Sequence, residues 1–426
     1  MDFIAQTLLK VELPRIIKIR EHFCTTQIED VASLIRDDVS KLPSYQMICP
    51  GQRIAITAGS RGIDRLPLVL RTLVEMIKAK DAEPFLVPAM GSHGGATAEG
   101  QVALLSELGI TSETIGAPIF SSMEVVQIGN IEDGRPVYID RYAHEADGII
   151  LVNRIKAHTG FRGEYESGLM KMMAIGLGKQ HGASEYHRTG FSRMAYTVEQ
   201  VGHAVLQREK IIFGVGLVEN GYGKLAQVSC LEADQIPVEE KKLLRTANAF
   251  LPRPFFSTAD VLVVREMGKD ISGTGMDSNV IGRYNNDAIS SPEISYTRLA
   301  VLDLTEHSKG NANGMGFADY ITKRFYQKIN LQQTYPNPLT SSYPMTVRIP
   351  MILDTDRQAI AAAVMTCLAE DPGRLRLGMI RDTKHLETVY ISESMLPEAE
   401  ACSDVQIESE PFAIPFSTDG SLTLMF

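Results

Sequence analysis

The feature that most constrains the fold is a repeated alternation of short apolar runs with longer stretches of helical spacing. R-I-A-I-T-A (53–58) stops at Gly59, and L-P-L-V-L-R-T-L-V-E-M-I-K-A-K then places apolar residues at helical intervals. P-F-L-V-P-A-M (84–90) runs into G-S-H-G-G-A-T, where Thr97 can cap the stretch A-E-G-Q-V-A-L-L-S-E-L that Gly109 closes. D-G-I-I-L-V-N (147–153) and K-I-I-F-G-V-G-L-V (210–218) have the composition of further buried strands. Strands that alternate with helices predict an α/β fold with mostly parallel sheets.

The proline-rich segment L-P-R-P-F-F-S-T (251–258) marks a domain boundary, with an N-terminal α/β domain over 1–255 and a smaller α/β domain over 256–426. The second half opens with the strand A-D-V-L-V-V-R-E (259–266) and continues with R-L-A-V-L-D-L-T (298–305). Helices are expected near 315–328 and 356–369 and a strand at 375–380, and the tail after 400 is expected to add strands.

Ligands of open α/β sheets sit outside the carboxyl ends of the strands. Here each first-half strand ends in a polar, glycine-rich segment: G-S-R-G, G-S-H-G-G-A-T and R-I-K-A-H-T-G-F-R-G. Arg61, His93, Lys156, His158 and Arg162 are therefore expected along one edge of one sheet. The second half repeats the arrangement in R-E-M-G-K-D-I-S-G-T-G-M-D-S-N (265–279) and T-E-H-S-K-G-N-A-N-G-M-G (305–316). These are either binding loops, which would place the active site in a cleft between the domains, or two ordinary tight loops.

Composition removes several function classes. A formal net charge of -10 without a basic block argues against sequence-independent nucleic-acid binding. The five scattered cysteines contain no Cys-x-x-Cys pair, which leaves no sign of a thiolate zinc site, an iron–sulfur cluster or a disulfide framework. The start M-D-F-I-A-Q-T-L-L-K does not read as a signal peptide, and no apolar run approaches the roughly 18 residues of a membrane helix. The expectation is a cytoplasmic protein with no membrane association.

Residues 171–187, K-M-M-A-I-G-L-G-K-Q-H-G-A-S-E-Y-H, carry the most ambiguous motif. A Walker loop needs Ser or Thr after its lysine, whereas Lys179 precedes Gln180, and G-S-H-G-G-A-T does not match a dinucleotide fingerprint. A glycine-rich turn at a helix start can still hold a single phosphate. His93, flanked by small residues, and His158, between Lys156 and Thr159-Gly160, suit proton transfer because imidazole titrates near neutrality. Lys171 reads either as a snorkelling lysine on an amphipathic helix or as a functional amine, and His187 as a surface residue or a ligand.

Together these residues resemble the nickel-pincer-nucleotide-dependent lactate racemase family, over roughly residues 15–330 and most sharply over 53–188. The family has an arginine after the first strand, a G-x-H motif after the second and another histidine about 65 residues on; here stand Arg61, His93 and His158, the last 65 positions after His93. It then has a lysine that tethers the cofactor and, sixteen residues on, a nickel-ligating histidine, as Lys171 and His187 do.

The resemblance implies a racemase or epimerase acting on a small-molecule 2-hydroxy acid through a nickel-pincer nucleotide tethered at Lys171, with cofactor-synthesis enzymes as partners. It assigns His93 and His158 to acid–base work, Arg61 to the substrate carboxylate and His187 to the metal. Gly91, Ser92, Gly94, Thr97 and Gly178 would contact the nucleotide. The interval from His158 to Lys171 is thirteen, longer than in the lactate enzymes, and the second-half loop lacks the family's glutamine and lysine. Lys269 and Asn279 are the candidates to replace them for substrate binding, and a larger or more polar hydroxy acid is favoured over lactate. The rival reading is a non-catalytic nucleotide- or metal-binding protein on the same scaffold.

Overall fold

The computed structural model describes residues 3–284, 289, 293–369 and 371–426. The chain divides into two compact units, Cys24–Leu251 on one side and the residues up to Phe23 with Pro252–Phe426 on the other. Strand β1 (Arg15–Glu21) therefore belongs with the second half of the chain, not with a domain over 1–255. The cause is its register: Ile16 to Arg20 pair antiparallel with Thr388 to Ser392. Its buried Ile17 and Ile19 pack in the apolar cluster of that half.

The unit Cys24–Leu251 carries β2 (Arg53–Ala58), β3 (Glu83–Pro88), the hairpin β4 (Val125–Asn130) and β5 (Pro136–Asp140), then β6 (Gly148–Arg154), β7 (Ile211–Glu219) and β8 (Leu225–Glu232). Its main sheet has the order β3-β2-β6-β7-β8. The first four strands are parallel and β8 runs antiparallel to β7. Because β2, β3 and β6 point the same way, the segments after Ala58, Pro88 and Arg154 all leave from one edge. The helix Leu66–Lys78 buries Val69, Leu70 and Leu73 against Ile54 and Ile56 of β2. Burial of each such side chain contributes roughly 1.5–3 kcal/mol. The helix Ala98–Glu107 starts where expected, with Thr97 Oγ1 accepting the Gly100 N–H at 3.0 Å.

The other unit adds β9 (Thr258–Met267), β10 (Ser295–Leu304), β11 (Tyr320–Thr322), β12 (Met351–Leu353), β13 (Leu377–Ile380), β14 (Thr388–Ser392), β15 (Val405–Ile407) and β16 (Phe412–Ala413). They form one sheet in the order β12-β11-β10-β9-β13-β14-β1-β15, with β16 also on β1. It is parallel from β12 to β13 and antiparallel beyond. The helix expected over 315–328 is broken, because Tyr320 and Ile321 join the sheet beside Ala300 and Val301, leaving a 3-10 turn at Met315–Phe317 and an α-helix at Lys323–Gln327. The tail strands pair with β1. No helix among the described residues is long and apolar enough to cross a membrane.

Candidate active site

The loop after β2 holds Ser60 and Arg61, and the loop after β3 holds Gly91 to Thr97. Ser60 Oγ lies 2.7 Å from His93 Nδ1, which joins the two loops and fixes one edge of the imidazole. His93 is otherwise exposed, Ser92 and Gly94 are half-buried, and Gly91 is buried. The amide of the buried Gln101 donates to the carbonyls of Gly91 (2.9 Å) and His93 (3.3 Å). An open cavity of about 640 Å³ is lined by Thr97, Glu99, Ser122, Glu124, Arg141 and Tyr142, and by none of the other predicted site residues.

The loop after β6 is organised by Glu166, a buried carboxylate. It accepts the N–H groups of His158 (2.6 Å) and Gly163 (3.3 Å) and lies 3.5 Å from the Arg162 guanidinium. His158 Nδ1 accepts the Gly160 N–H at 3.0 Å, so the neutral ring carries its hydrogen at Nε2. That ring stacks 4.4 Å from Phe161 and lies 6.1 Å from Phe191. Burial, then the charges of Lys171, His187, Arg162 and Lys156, hold its pKa well below the ordinary histidine value.

The segment that follows is a short helix, Leu169–Lys171, running into one turn of π-helix, Met172–Gly176, and then the helix Lys179–His187. Single π turns are a recurrent feature of functional sites. Glu240 sets the start: its carboxylate accepts the Met170 N–H at 2.9 Å, and burial raises its pKa to about 7. A Cβ on Gly168 would lie 2.1 Å from Glu240 Oε1, so a side chain there would displace the carboxylate that receives the Met170 N–H. Gly178 is buried at the last bend, and Lys179 follows it with φ +53°. Lys179 is not a phosphate lysine in this arrangement. Its ammonium is fully buried and donates to Pro88 O (2.8 Å) and Gln101 Oε1 (2.6 Å), with Asp140 Oδ2 at 3.5 Å.

Lys171 Nζ sits 5.9 Å from the Phe161 ring and His187 packs edge-on to Phe191 at 5.5 Å, so His158, Lys171 and His187 share one pair of phenylalanines. Among the described residues, neither Lys171, His187 nor Arg61 has a hydrogen bond or ion pair. Burial and the nearby Arg61 lower the Lys171 amine to about 7, and Glu166 opposes them. Burial and Lys171 lower His187 to about 4. Burial and Arg154 lower Arg61. The result is a half-buried cluster of cationic groups with one opposing carboxylate, an arrangement that favours an anionic ligand. No cluster of three or more His, Cys, Asp or Glu that could hold a metal occurs among the described residues.

Lys269 and Asn279 lie in the other unit, past the carboxyl end of β9. Lys269 Nζ donates to Gly273 O at 2.6 Å, within its own loop. Asn279 is buried and donates its side-chain amide to Asp277 Oδ1 at 2.8 Å. The glycine-rich loop after β10 closes on the loop after β9. Thr305 Oγ1 donates to Asp270 Oδ1 (2.6 Å) and lies 2.7 Å from Ser308 Oγ, which accepts the Lys269 N–H at 2.9 Å.

Sequence reasoning missed Glu166, Gln101, Glu240 and the phenylalanine pair. Each acts through contacts across the fold, and a lone acid or amide at those positions carries no spacing signal.

Residues 12–197 match the family model described as lactate racemase N-terminal domain. Over that stretch the chain is similar to the N-terminal domain of lactate racemases. The lactate racemase-like stretch contains Arg61, His93, His158, Lys171 and His187, while Lys269 and Asn279 lie outside it. Among solved structures, the chain is similar to the lactate racemase apoprotein from Thermoanaerobacterium thermosaccharolyticum. The identity is 12% and the TM-score 0.47, covering 87% of this chain and 89% of that one. No curated protein matches the chain.

Proposed function

We propose that this protein is a racemase or epimerase that inverts C2 of a 2-hydroxy acid, with a nickel-pincer nucleotide held by Lys171 and His187. The observation that carries this reading is the state of those two side chains. An amine must be deprotonated to be acylated, and a lysine held near 7 is about half free base at neutral pH, unlike an ordinary one. His187, neutral above about 4 and without a hydrogen bond among the described residues, keeps a ring lone pair for a metal, and imidazole is a good ligand for nickel. When bound, the nucleotide would supply the acceptor for the C2 hydride.

The remaining steps belong to this chain's own groups. Arg61, half-buried and without a counter-charge among the described residues, binds the substrate carboxylate, for which a guanidinium fork is matched. His93, whose Nδ1 lies 2.7 Å from Ser60 Oγ, takes the hydroxyl proton and returns it after the 2-keto acid has formed. His158 enters as a neutral ring with its hydrogen on Nε2, donating to the substrate oxygen. It serves as a base there only as the Nδ1–H tautomer, in which the Gly160 N–H has left Nδ1 and the lone pair is on Nε2. Phe161 and Phe191 keep water from the cluster.

Intact-mass and nickel analysis of protein made together with cofactor-building enzymes tests the reading. Wild type is expected to carry a covalent adduct and near-stoichiometric nickel, Lys171→Ala to lose the adduct, and His187→Ala to lose nickel. An unmodified, nickel-free wild type under those conditions refutes it. C2-deuterated 2-hydroxy acids should be inverted with retention of label, and a panel including sugar acids should give the preferred substrate. The rival, a non-catalytic nucleotide- or metal-binding protein, draws support from the loops after β9 and β10, whose polar groups bind each other. It predicts adduct and metal without inversion of any panel member.

A further inference from the structure

We propose that Lys179 and Gln101 are positioning residues for His93, acting through a buried Asp140–Lys179–Gln101 relay that fixes the carbonyls of the histidine loop. The proposal rests on the reading that His93 exchanges a proton with substrate. Both side chains are fully buried, and their polar groups are matched. The Lys179 ammonium donates to Pro88 O at 2.8 Å and Gln101 Oε1 at 2.6 Å, and it forms an ion pair with Asp140 Oδ2 at 3.5 Å. With its oxygen held, the Gln101 amide is oriented so that its two hydrogens reach Gly91 O at 2.9 Å and His93 O at 3.3 Å. Pro88, Gly91 and His93 are thus pinned from one point, at the end of β3 and along the loop that follows.

Stability alone is a weak reason for such a device. A buried ion pair is often no better for stability than well-packed apolar residues of the same volume. Lys179 also adopts a left-handed backbone, at φ +53°, that a non-glycine residue avoids. The same residue opens the helix Lys179–His187, so the relay ties the first histidine's loop to the helix that ends in His187. A proton-transferring imidazole needs its ring held to within a fraction of an ångström, and displacement of about 1 Å is enough to cost roughly 100-fold in rate. Ser60 holds one ring edge of His93; the relay holds its backbone.

The test uses the full-length, cofactor-loaded protein with Lys179→Met, Gln101→Leu and Gln101→Glu. The last keeps an acceptor for Lys179 while removing both donors to the loop, and it carries the test if either of the others fails to fold. Amide hydrogen exchange over 91–97 is expected to rise at least tenfold, with the 53–58 strand unchanged. Turnover is expected to fall roughly 10–100-fold with KM within about threefold. In a His93→Ala background, Gln101→Glu should cost nothing further, because the group it positions is gone. The proposal is overturned by wild-type protection of 91–97 in folded Gln101→Glu, or by an equal loss of turnover in the His93→Ala background. If wild type inverts no 2-hydroxy acid, the functional reading fails separately. Exchange over 91–97 and the rate of His93 acylation by diethyl pyrocarbonate then decide the relay.

Discussion

The two units present the same sequence signature and opposite chemistry. In Cys24–Leu251 the glycine-rich segments after the parallel strands leave Arg61, Lys171 and His187 without hydrogen bonds or ion pairs among the described residues. In the other unit the loops after β9 and β10 close into a knot, with Asp270, Thr305, Ser308 and Lys269 bonded to one another or to their own backbone. Glycine at a strand end permits both outcomes. Which one forms depends on whether a second loop fills the space. The open cluster is costly for folding, and such a cost persists where a ligand offsets it.

The largest expected effect breaks the knot. Gly314 has φ +103°, and a Cβ there would lie 1.7 Å from Thr274 O, so it cannot be accommodated without moving one loop off the other. Gly314→Ala should destabilise its unit by roughly 2–5 kcal/mol, combining overpacking with left-handed strain. Urea unfolding followed at the tyrosines would report it. A loss below about 0.5 kcal/mol would show that the loops are not locked together. Next comes Arg61→Met, which keeps the apolar stem and removes the charge. Losing a charge-assisted contact worth about 1.5–3 kcal/mol should lower kcat/KM by roughly 10–150-fold. The urea midpoint should not fall, since no partner is left unpaired. A matched drop in stability would place Arg61 in a structural network instead.

Most of the fold was legible because the apolar runs are long enough to be read without help. R-I-A-I-T-A and A-D-V-L-V-V-R-E are strands β2 and β9 almost to the residue. β1 was not assigned, because R-I-I-K-I-R-E is short and charged and its partner, β14, lies over 360 positions away. The short β11 was absorbed into a helix because Tyr320 to Thr322 are followed at once by helical residues. At the site, intervals found Arg61, His93, His158, Lys171 and His187 since those positions are fixed along the chain. Glu166, Gln101 and Glu240 escaped because their work is to hold backbone groups distant in sequence or hidden in a loop, and nothing in their neighbours announces it. Lys179 shows the converse case, a loop motif already ruled out as a Walker loop by Gln180. A Gly-Leu-Gly-Lys turn suggests a phosphate, yet its lysine points inward and meets only protein acceptors.

The smallest expected effect sharpens the contrast between the units by its pH dependence. Lys171 has a folded-state pKa near 7 against an ordinary 10.5, from burial and from Arg61. Below pH 7 the amine is charged in both states, and the folded protein bears the full cost of that buried charge. Between 7 and 10.5 the unfolded chain binds a proton that the folded one does not, so stability rises with pH; above 10.5 the amine is neutral in both and the cost vanishes. In cofactor-free protein, Lys171→Met should therefore stabilise by about 1 kcal/mol below pH 7, after allowing for partial solvent screening, and the gain should fade across that window. Lys269→Met in the knot should do the reverse, losing the Gly273 contact and some stability. A Lys171→Met variant that is less stable than wild type at pH 6 would mean that the amine already has a partner, and the open cluster would be no more open than the knot.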